Sequence, residues 1–263
     1  MNRNLSDFQI YSEPFMEMGN ISAEGATKLL GKSLTPLELL LRETIQNSWD
    51  ASLESLSQPR FEVRLRFLDF HEKSTLRKFL FELPHKNSKD ELILNNYLKK
   101  EHMLVMEICD FGTKGLGGPF SAAKSISENE PNDFVNFVKN IGSHRDKRNG
   151  AGTYGFGKSS LFKFSKCNTI LINTLTEHND RLQNRFIGYA LGSEYQANNK
   201  RFTGRHWWGL KKNLENRFSI DPIIDFEAKE ISRKLGLNVR SSEEDKGTSL
   251  VILDPDLDEI NDD

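Results

Sequence analysis

Four groups of residues in this 263-residue chain have types and spacings that could do chemistry. The first is Glu43, Asn47 and Asp50, followed by Ala51. On a helix these three positions share a polar stripe at i, i+4 and i+7. A carboxylate, an amide and a second carboxylate projecting the same way could hold a hydrated Mg2+ through oxygen and position a water for attack. A solvated helix face is the plainer account of such a stripe. Against it, Asn47 is a poor helix former in mid-helix, and Trp49 and Ala51 are not residues that a solvent face needs. The second group is Asp110, which closes an apolar run and precedes a cluster of Gly112, Gly115, Gly117 and Gly118. It reads either as a strand-to-loop turn or as a buried carboxylate that accepts an exocyclic amine, with glycines letting a base lie against the backbone. The second account selects adenine over guanine.

The third group is the run Gly150-Ala151-Gly152-Thr153-Tyr154-Gly155-Phe156-Gly157-Lys158-Ser159-Ser160. From Gly152 it fits the P-loop pattern G-x-x-x-x-G-K followed by Ser or Thr. A P-loop must emerge from a buried strand, however, and the residues before this run are polar and basic, with His144, Arg145, Lys147 and Arg148. The alternative is a glycine-rich lid leading into a helix that starts near Lys158, whose free N–H groups and positive dipole end would receive phosphates. The fourth group, Lys246-Gly247-Thr248 opening the last strand, is on its own more often a turn than a ligand site.

These residues need elements to hold them. Thr35-Pro36-Leu37-Glu38 reads as a capping box with proline at the first helical position, opening a helix from Pro36 to about Leu56. Its residues Leu37, Leu40, Leu41, Ile45 and Ser48 are expected on the inner side. A shorter helix over 22–30 stops at Gly31. Strands are expected over 61–67, 103–109, 169–173, 185–191 and 249–253, and helices over 133–139 and 223–235. The stretch 71–100 carries two helix-like pieces and reads as an insertion, while the aromatic run Gly204–Leu210 is either core or an exposed docking strand. Helices and strands in this order predict an α+β protein, a two-layer α/β sandwich with a mixed sheet and helices on one face.

Composition excludes several classes. A net charge of −2 is not that of a basic nucleic-acid coat. No apolar run approaches the roughly 20 residues needed to cross a bilayer, and the N-terminus lacks the pattern of a signal peptide. Cys109 and Cys167, both in apolar runs, read as reduced thiols of a cytoplasmic protein.

Taken together and in this order, the four pieces resemble the GHKL ATPase superfamily, and among its members an Hsp90-like or MORC-like N-terminal ATPase domain of a bacterial protein. Residues 41–52, Cys109–Gly118, Gly150–Ser160 and Lys246–Leu253 look like its first to fourth motifs. The resemblance implies the Bergerat fold, ATP and Mg2+ as cofactors, and an ATP lid. It divides the chain into an N-terminal segment (1–34), an ATPase domain (35–253, with the insertion at 71–100 and the lid at 113–151) and an acidic tail or linker (254–263). By the same resemblance Glu43 would be the general base and Asn47 would hold the Mg2+. Asp50 and Thr248 would support the base pocket through water. Asp110 would bind the adenine amino group, with Gly112 and Gly115 at the close approach. Gly152, Thr153, Tyr154, Gly155, Phe156, Gly157 and Lys158 would cradle the phosphates. Glu43 favours slow hydrolysis over phosphotransfer, and the alternatives are a non-hydrolysing ATP sensor and a P-loop nucleotidase. Implied partners are a C-terminal transducer or effector domain, or a separate subunit, and a second copy in an ATP-dependent homodimer. Nucleic acid would be engaged only indirectly, no membrane is implied, and antiviral defence is the implied setting. The pattern departs from the family in the wider spacing between Gly112 and Gly115.

Overall fold

The computed structural model describes residues 8–28, 36–53, 59–124, 127, 130–140, 156–214 and 217–258. Along the chain run β1 (Phe8–Pro14), α1 (Ala23–Lys28), α2 (Pro36–Asp50), β2 (Arg60–Phe67), α3 (Phe70–Phe79), α4 (Lys89–Lys99) and β3 (Leu104–Phe111). A π-helical turn (Val135–Lys139), α5 (Phe156–Lys163), β4 (Thr169–His178), β5 (Arg181–Leu191), β6 (Tyr195–Ala197) and β7 (Lys200–Leu214) follow. The last elements are β8 (Arg217–Asp221), β9 (Ile223–Ile224), α6 (Asp225–Lys234) and β10 (Gly247–Leu253).

The ten strands form one sheet in the order β1-β7-β5-β4-β10-β3-β2, with β6 and β8 added to β7 and β9 to β5. Every pairing is antiparallel. The local cause is visible in two turns. Asn179 and Asp180 join β4 to β5, and Asn198 and Asn199 join β6 to β7, all four with positive φ between 49° and 60°. Two consecutive left-handed residues make the tight turn whose twist matches that of a hairpin, and asparagine and aspartate tolerate it best after glycine. Strands joined so closely must run antiparallel, because a parallel pair needs a long crossover.

This corrects the expected two-layer α/β sandwich with a mixed sheet and helices on one face. The sheet dominates, with 38% strand against 30% helix, it holds no parallel pair among the described strands, and helices cover both of its faces. β10 sends Val251 and Leu253 into one core with Leu76 and Phe79 of α3, Leu94 and Leu98 of α4 and Ile231 of α6. It sends Leu250 and Ile252 into the opposite core with Ala23 of α1, Leu40 of α2 and Leu161 and Phe162 of α5. A strand buried on both faces has no polar side to alternate with, so β10 and most of β4 and β5 read as continuous buried runs.

Other boundaries move for local reasons. The first of the two helix-like pieces expected within 71–100 starts at Phe70, because Asp69 and Glu72 form a capping box at its N-terminus. Ile223–Ile224 pairs with β5 before α6 begins, and the N-terminal segment carries an edge strand, β1, for which no element was expected. Thr35 and Leu56 lie outside the described residues. Both cysteines are buried and unpaired, as expected. Among the described residues no helix is long and apolar enough to cross a membrane.

Candidate functional site around Asp110

α2 presents its inner face through Leu40, Thr44 and Ser48, all buried. The two hydroxyls fold back onto the helix: Thr44 Oγ1 donates to Leu40 O at 2.7 Å and Ser48 Oγ to Thr44 O at 2.8 Å. That back-bonding lets polar side chains occupy a buried helix face without an unmet donor. Ile45, expected on this face, is 49% exposed and Trp49 is 68% exposed; Thr44 takes the inner place. Glu43 is buried, Asp50 half-buried and Asn47 exposed, so the polar stripe runs from the protein interior to solvent.

Ser48 brings α2 to Asp110. The Asp110 carboxylate accepts from Thr113 Oγ1 at 2.5 Å and from the backbone N of Thr248 at 3.0 Å, both on Oδ1. Oδ2 accepts only from Ser48 Oγ at 3.3 Å among the described residues, and the single proton of that hydroxyl is already directed at Thr44 O. One oxygen is therefore saturated and the other keeps acceptor capacity. Burial pushes the Asp110 pKa above its usual value, opposed by the Thr113 hydroxyl, the nearby Arg240 guanidinium, the Thr248 amide and Ser48. Burial thus works against the charged form of this carboxyl, and its hydrogen-bond donors and Arg240 work for it. Thr248 extends the cluster: its Oγ1 lies 3.0 Å from Thr174 Oγ1, which donates to Gly247 O at 2.9 Å and accepts from Leu116 N at 3.0 Å.

The glycine loop after β3 is tied down on both sides. Leu53 N donates to Gly112 O, Lys114 N to Ala51 O and Thr113 N to Lys246 O, so the end of α2, the loop and the start of β10 share one hydrogen-bonded seam. Gly112 has φ +71° and Gly115 φ +66°. A Cβ on Gly115 would meet Leu175 O at 2.3 Å, and one on Gly247 would meet Asp110 Oδ1 at 2.4 Å. The chain's own close packing accounts for glycine at both places. Beyond it, Arg185 Nη1 donates to Leu116 O, and its guanidinium lies 4.7 Å from the Phe120 ring and 5.4 Å from Phe134. The opening stretch of the expected lid is thereby fastened to the sheet.

Of the expected site residues, the structure brings together Asp110, Gly112, Gly115 and Thr248, with α2 carrying Glu43, Asn47 and Asp50 alongside. Gly152, Thr153, Tyr154 and Gly155 lie outside the described residues. So do Arg145, Lys147 and Arg148. Phe156, Gly157 and Lys158 form the first turn of α5, which packs against α2, and their side chains are not described. Sequence reasoning missed Ser48, Thr113 and Thr174 as participants. Only Thr113, three residues after a strand-closing aspartate, carried a local signal, because Asp and Thr at that spacing commonly close a turn. The other two meet Asp110 or Thr248 through long-range packing.

A second polar cluster sits at the far side of the sheet and was not anticipated. His206 of β7, fully buried, places Nδ1 2.8 Å from Ser12 Oγ and Nε2 3.0 Å from Asp90 Oδ2. Asp90 also accepts from Ser193 N at 2.8 Å on Oδ1 and 3.1 Å on Oδ2. The Tyr195 phenol, which bonds to Ser12, has its pKa pushed up by burial. Compared with known proteins, the chain matches no family model, and no curated protein matches it.

Proposed function

We propose that the Asp110 cluster binds an adenine nucleotide and that the chain hydrolyses ATP slowly in the presence of Mg2+. The observation that carries this reading is the half-satisfied Asp110 carboxylate: Oδ1 is locked by Thr113 and Thr248 while Oδ2 keeps room for a donor such as an exocyclic amine. A buried site built to receive a donor discriminates strongly against a ligand that offers an acceptor there, which disfavours guanine. Thr248 and Thr174 supply hydroxyls beside the base, and Asp50 lies on the α2 stripe that borders it. Toward the other end of that stripe, Glu43 is buried and suited to take a proton from a water attacking a phosphate. Among the described residues no three His, Cys, Asp or Glu side chains gather to hold a metal. The Asn47 amide, exposed on α2, would hold Mg2+ together with the nucleotide's phosphates, and the ion would supply charge neutralisation there. The reading rests on this local chemistry and not on the fold. Partners would be an effector domain or a separate subunit that feels nucleotide binding.

Calorimetric titration of ATP, ADP and GTP with Mg2+ into the wild type and Asp110→Asn tests it. Adenine-selective binding in the wild type that disappears in the variant supports the pocket; binding indifferent to Asp110 overturns it. Glu43→Ala then separates hydrolysis from sensing: turnover is lost with ATP affinity kept if Glu43 is the base, whereas a non-hydrolysing sensor shows no turnover to lose.

A further inference from the structure

Arg240 is 1% exposed, yet it makes no ion pair among the described residues. Its Nη1 donates to Asp245 O at 2.7 Å and its Nη2 to Ser249 Oγ at 2.9 Å, while the guanidinium lies 4.3 Å from the centre of the Phe111 ring. Ser249 and Phe111 are the chain neighbours of Thr248 and Asp110, whose amide and carboxylate meet at 3.0 Å. Side chains alternate between the two faces along a strand, so the cation sits beneath the Asp110 carboxylate, on the opposite face of the sheet. Tying the segment before β10 to Ser249 needs only a neutral donor. A full charge withdrawn from water is costly unless another charge answers it. Burial disfavours the charged guanidinium, and of the charges that favour it Asp110 comes first, ahead of Cys109 and Asp245.

The relation runs both ways. Burial pushes the Asp110 pKa up, and of the groups that oppose it, the Thr113 hydroxyl, Arg240, the Thr248 amide and Ser48, only Arg240 brings a full charge. Most other charges nearby are already matched. Glu107 of β3 is held by Arg64 and Arg66, each at 2.6 Å. Arg60 of β2, 4.0 Å from the Phe111 ring, is exposed and paired with Glu62 at 3.2 Å. Lys246 is paired with Glu243 at 2.6 Å and Glu177 at 3.6 Å. The remaining ionisable groups on these elements are Glu43 and Asp50 of α2, the exposed Lys114 of the glycine loop and the Cys109 thiol of β3. Two donors already fill Oδ1 of Asp110, so a proton taken up by the carboxyl goes to Oδ2. An ionised Oδ2 accepts from an amine, whereas a protonated one donates to a carbonyl. We propose that Arg240 is a positioning residue for the base pocket: from beneath the sheet it keeps the Asp110 carboxylate ionised, so that Oδ2 takes a base presenting an amine and refuses one presenting a carbonyl. The inference rests on the nucleotide reading above, and its first test needs no nucleotide.

Carbon NMR of the full chain with isotope-labelled aspartate carboxyls reads the charge directly, the Asp110 signal being the one missing from Asp110→Asn. In Arg240→Gln the titration midpoint of that signal should rise by about one pH unit, and in Arg240→Lys, which keeps a cation, it should stay near the wild-type value. Ser249→Ala removes the hydrogen bond at Nη2 and keeps the charge, so it should leave the midpoint in place. Calorimetry at the pH midway between the wild-type and Arg240→Gln midpoints should then show ATP bound about threefold more weakly by Arg240→Gln, with Arg240→Lys restored. A midpoint that stays put in a folded Arg240→Gln overturns the proposal, whether or not nucleotide binds. So does a raised midpoint in Arg240→Lys or Ser249→Ala, because both loosen the hydrogen-bonded latch without removing the charge. Where Arg240→Gln fails to fold, these two variants carry the test, and unmoved midpoints in both support it. A midpoint that rises as expected in a chain that binds no adenine nucleotide overturns the base-selecting role together with the function it rests on.

Discussion

Asp90 and Asp110 occupy comparable settings and do opposite things. Each carboxylate accepts a backbone amide from a distant strand or loop, Ser193 for Asp90 and Thr248 for Asp110, and each stands in a chain of hydroxyl groups. The Asp90 cluster contains a serine, a histidine and an aspartate within hydrogen-bonding reach, the constellation that suggests nucleophilic catalysis. Yet His206 has no exposed surface and both of its ring nitrogens are committed. That cluster joins α4 to β1 and β7, and its histidine has both ring nitrogens engaged within the fold. Asp110 sits among plainer residues but keeps one oxygen nearly unspent and part of its surface open. Residue types suggest chemistry; unspent hydrogen-bonding capacity with access decides it.

The contrast can be broken from either side. His206→Ala should lower stability the most, by about 3 kcal/mol, because it leaves a cavity in the sheet and leaves the Asp90 carboxylate with only the Ser193 amide among the described residues. Denaturant unfolding measures this, and the folded fraction should bind nucleotide unchanged. Asp110→Asn should do the reverse. Adenine-nucleotide affinity should fall by about 100-fold, equivalent to about 2.7 kcal/mol, with stability altered by less than about 1 kcal/mol, read by calorimetry and unfolding on the same samples. Ser12→Ala should cost about 1 kcal/mol, the ordinary value of one hydrogen bond, and abolish no activity. A serine-directed phosphonate that labelled Ser12 would reverse the assignment of that cluster. The smallest effect is a pH dependence. The folded-state pKa of Asp110 lies above the unfolded value, so the folded chain binds the proton more tightly. Its contribution is fully present below the unfolded pKa and is lost as pH rises through the folded one. Unfolding curves across that acidic window should show wild-type stability declining relative to Asp110→Asn as pH rises.

The parts of this arrangement that were legible in sequence are those encoded locally. The polar stripe on α2 follows from helical spacing, and the strand before Asp110 from an apolar run that ends in a carboxylate. The turns at Asn179-Asp180 and Asn198-Asn199 were equally local signals, and weighing them would have shown β4 to β5 and β6 to β7 as hairpins and so the sheet as antiparallel. Other features had no local trace. Ser48 looked like the end of an apolar face, and only the packing of α2 shows that its hydroxyl reaches Asp110, 62 residues away in sequence. The same packing exposes Ile45, which periodicity alone puts inside. β1 was missed because its alternation is interrupted by polar residues that pair with the distant β7, where Ser12 meets His206, 194 residues on.

β10 is the last described strand of the sheet in chain order, yet it lies at the middle, between β4 and β3. During synthesis β2 and β3 can pair early, and β4, β5 and β7 can close as a separate block through their short turns. Among the described strands these two partial sheets do not pair with each other until Gly247–Leu253 arrives to bridge them. Until then the facing edges of β3 and β4 stand open with their apolar side chains, a state prone to wrong pairing. The strand that ends this exposure also carries the Thr248 amide to Asp110. A nascent chain therefore acquires a continuous sheet and the Thr248 amide at Asp110 in one step, and a ribosome-bound precursor lacking that strand lacks both.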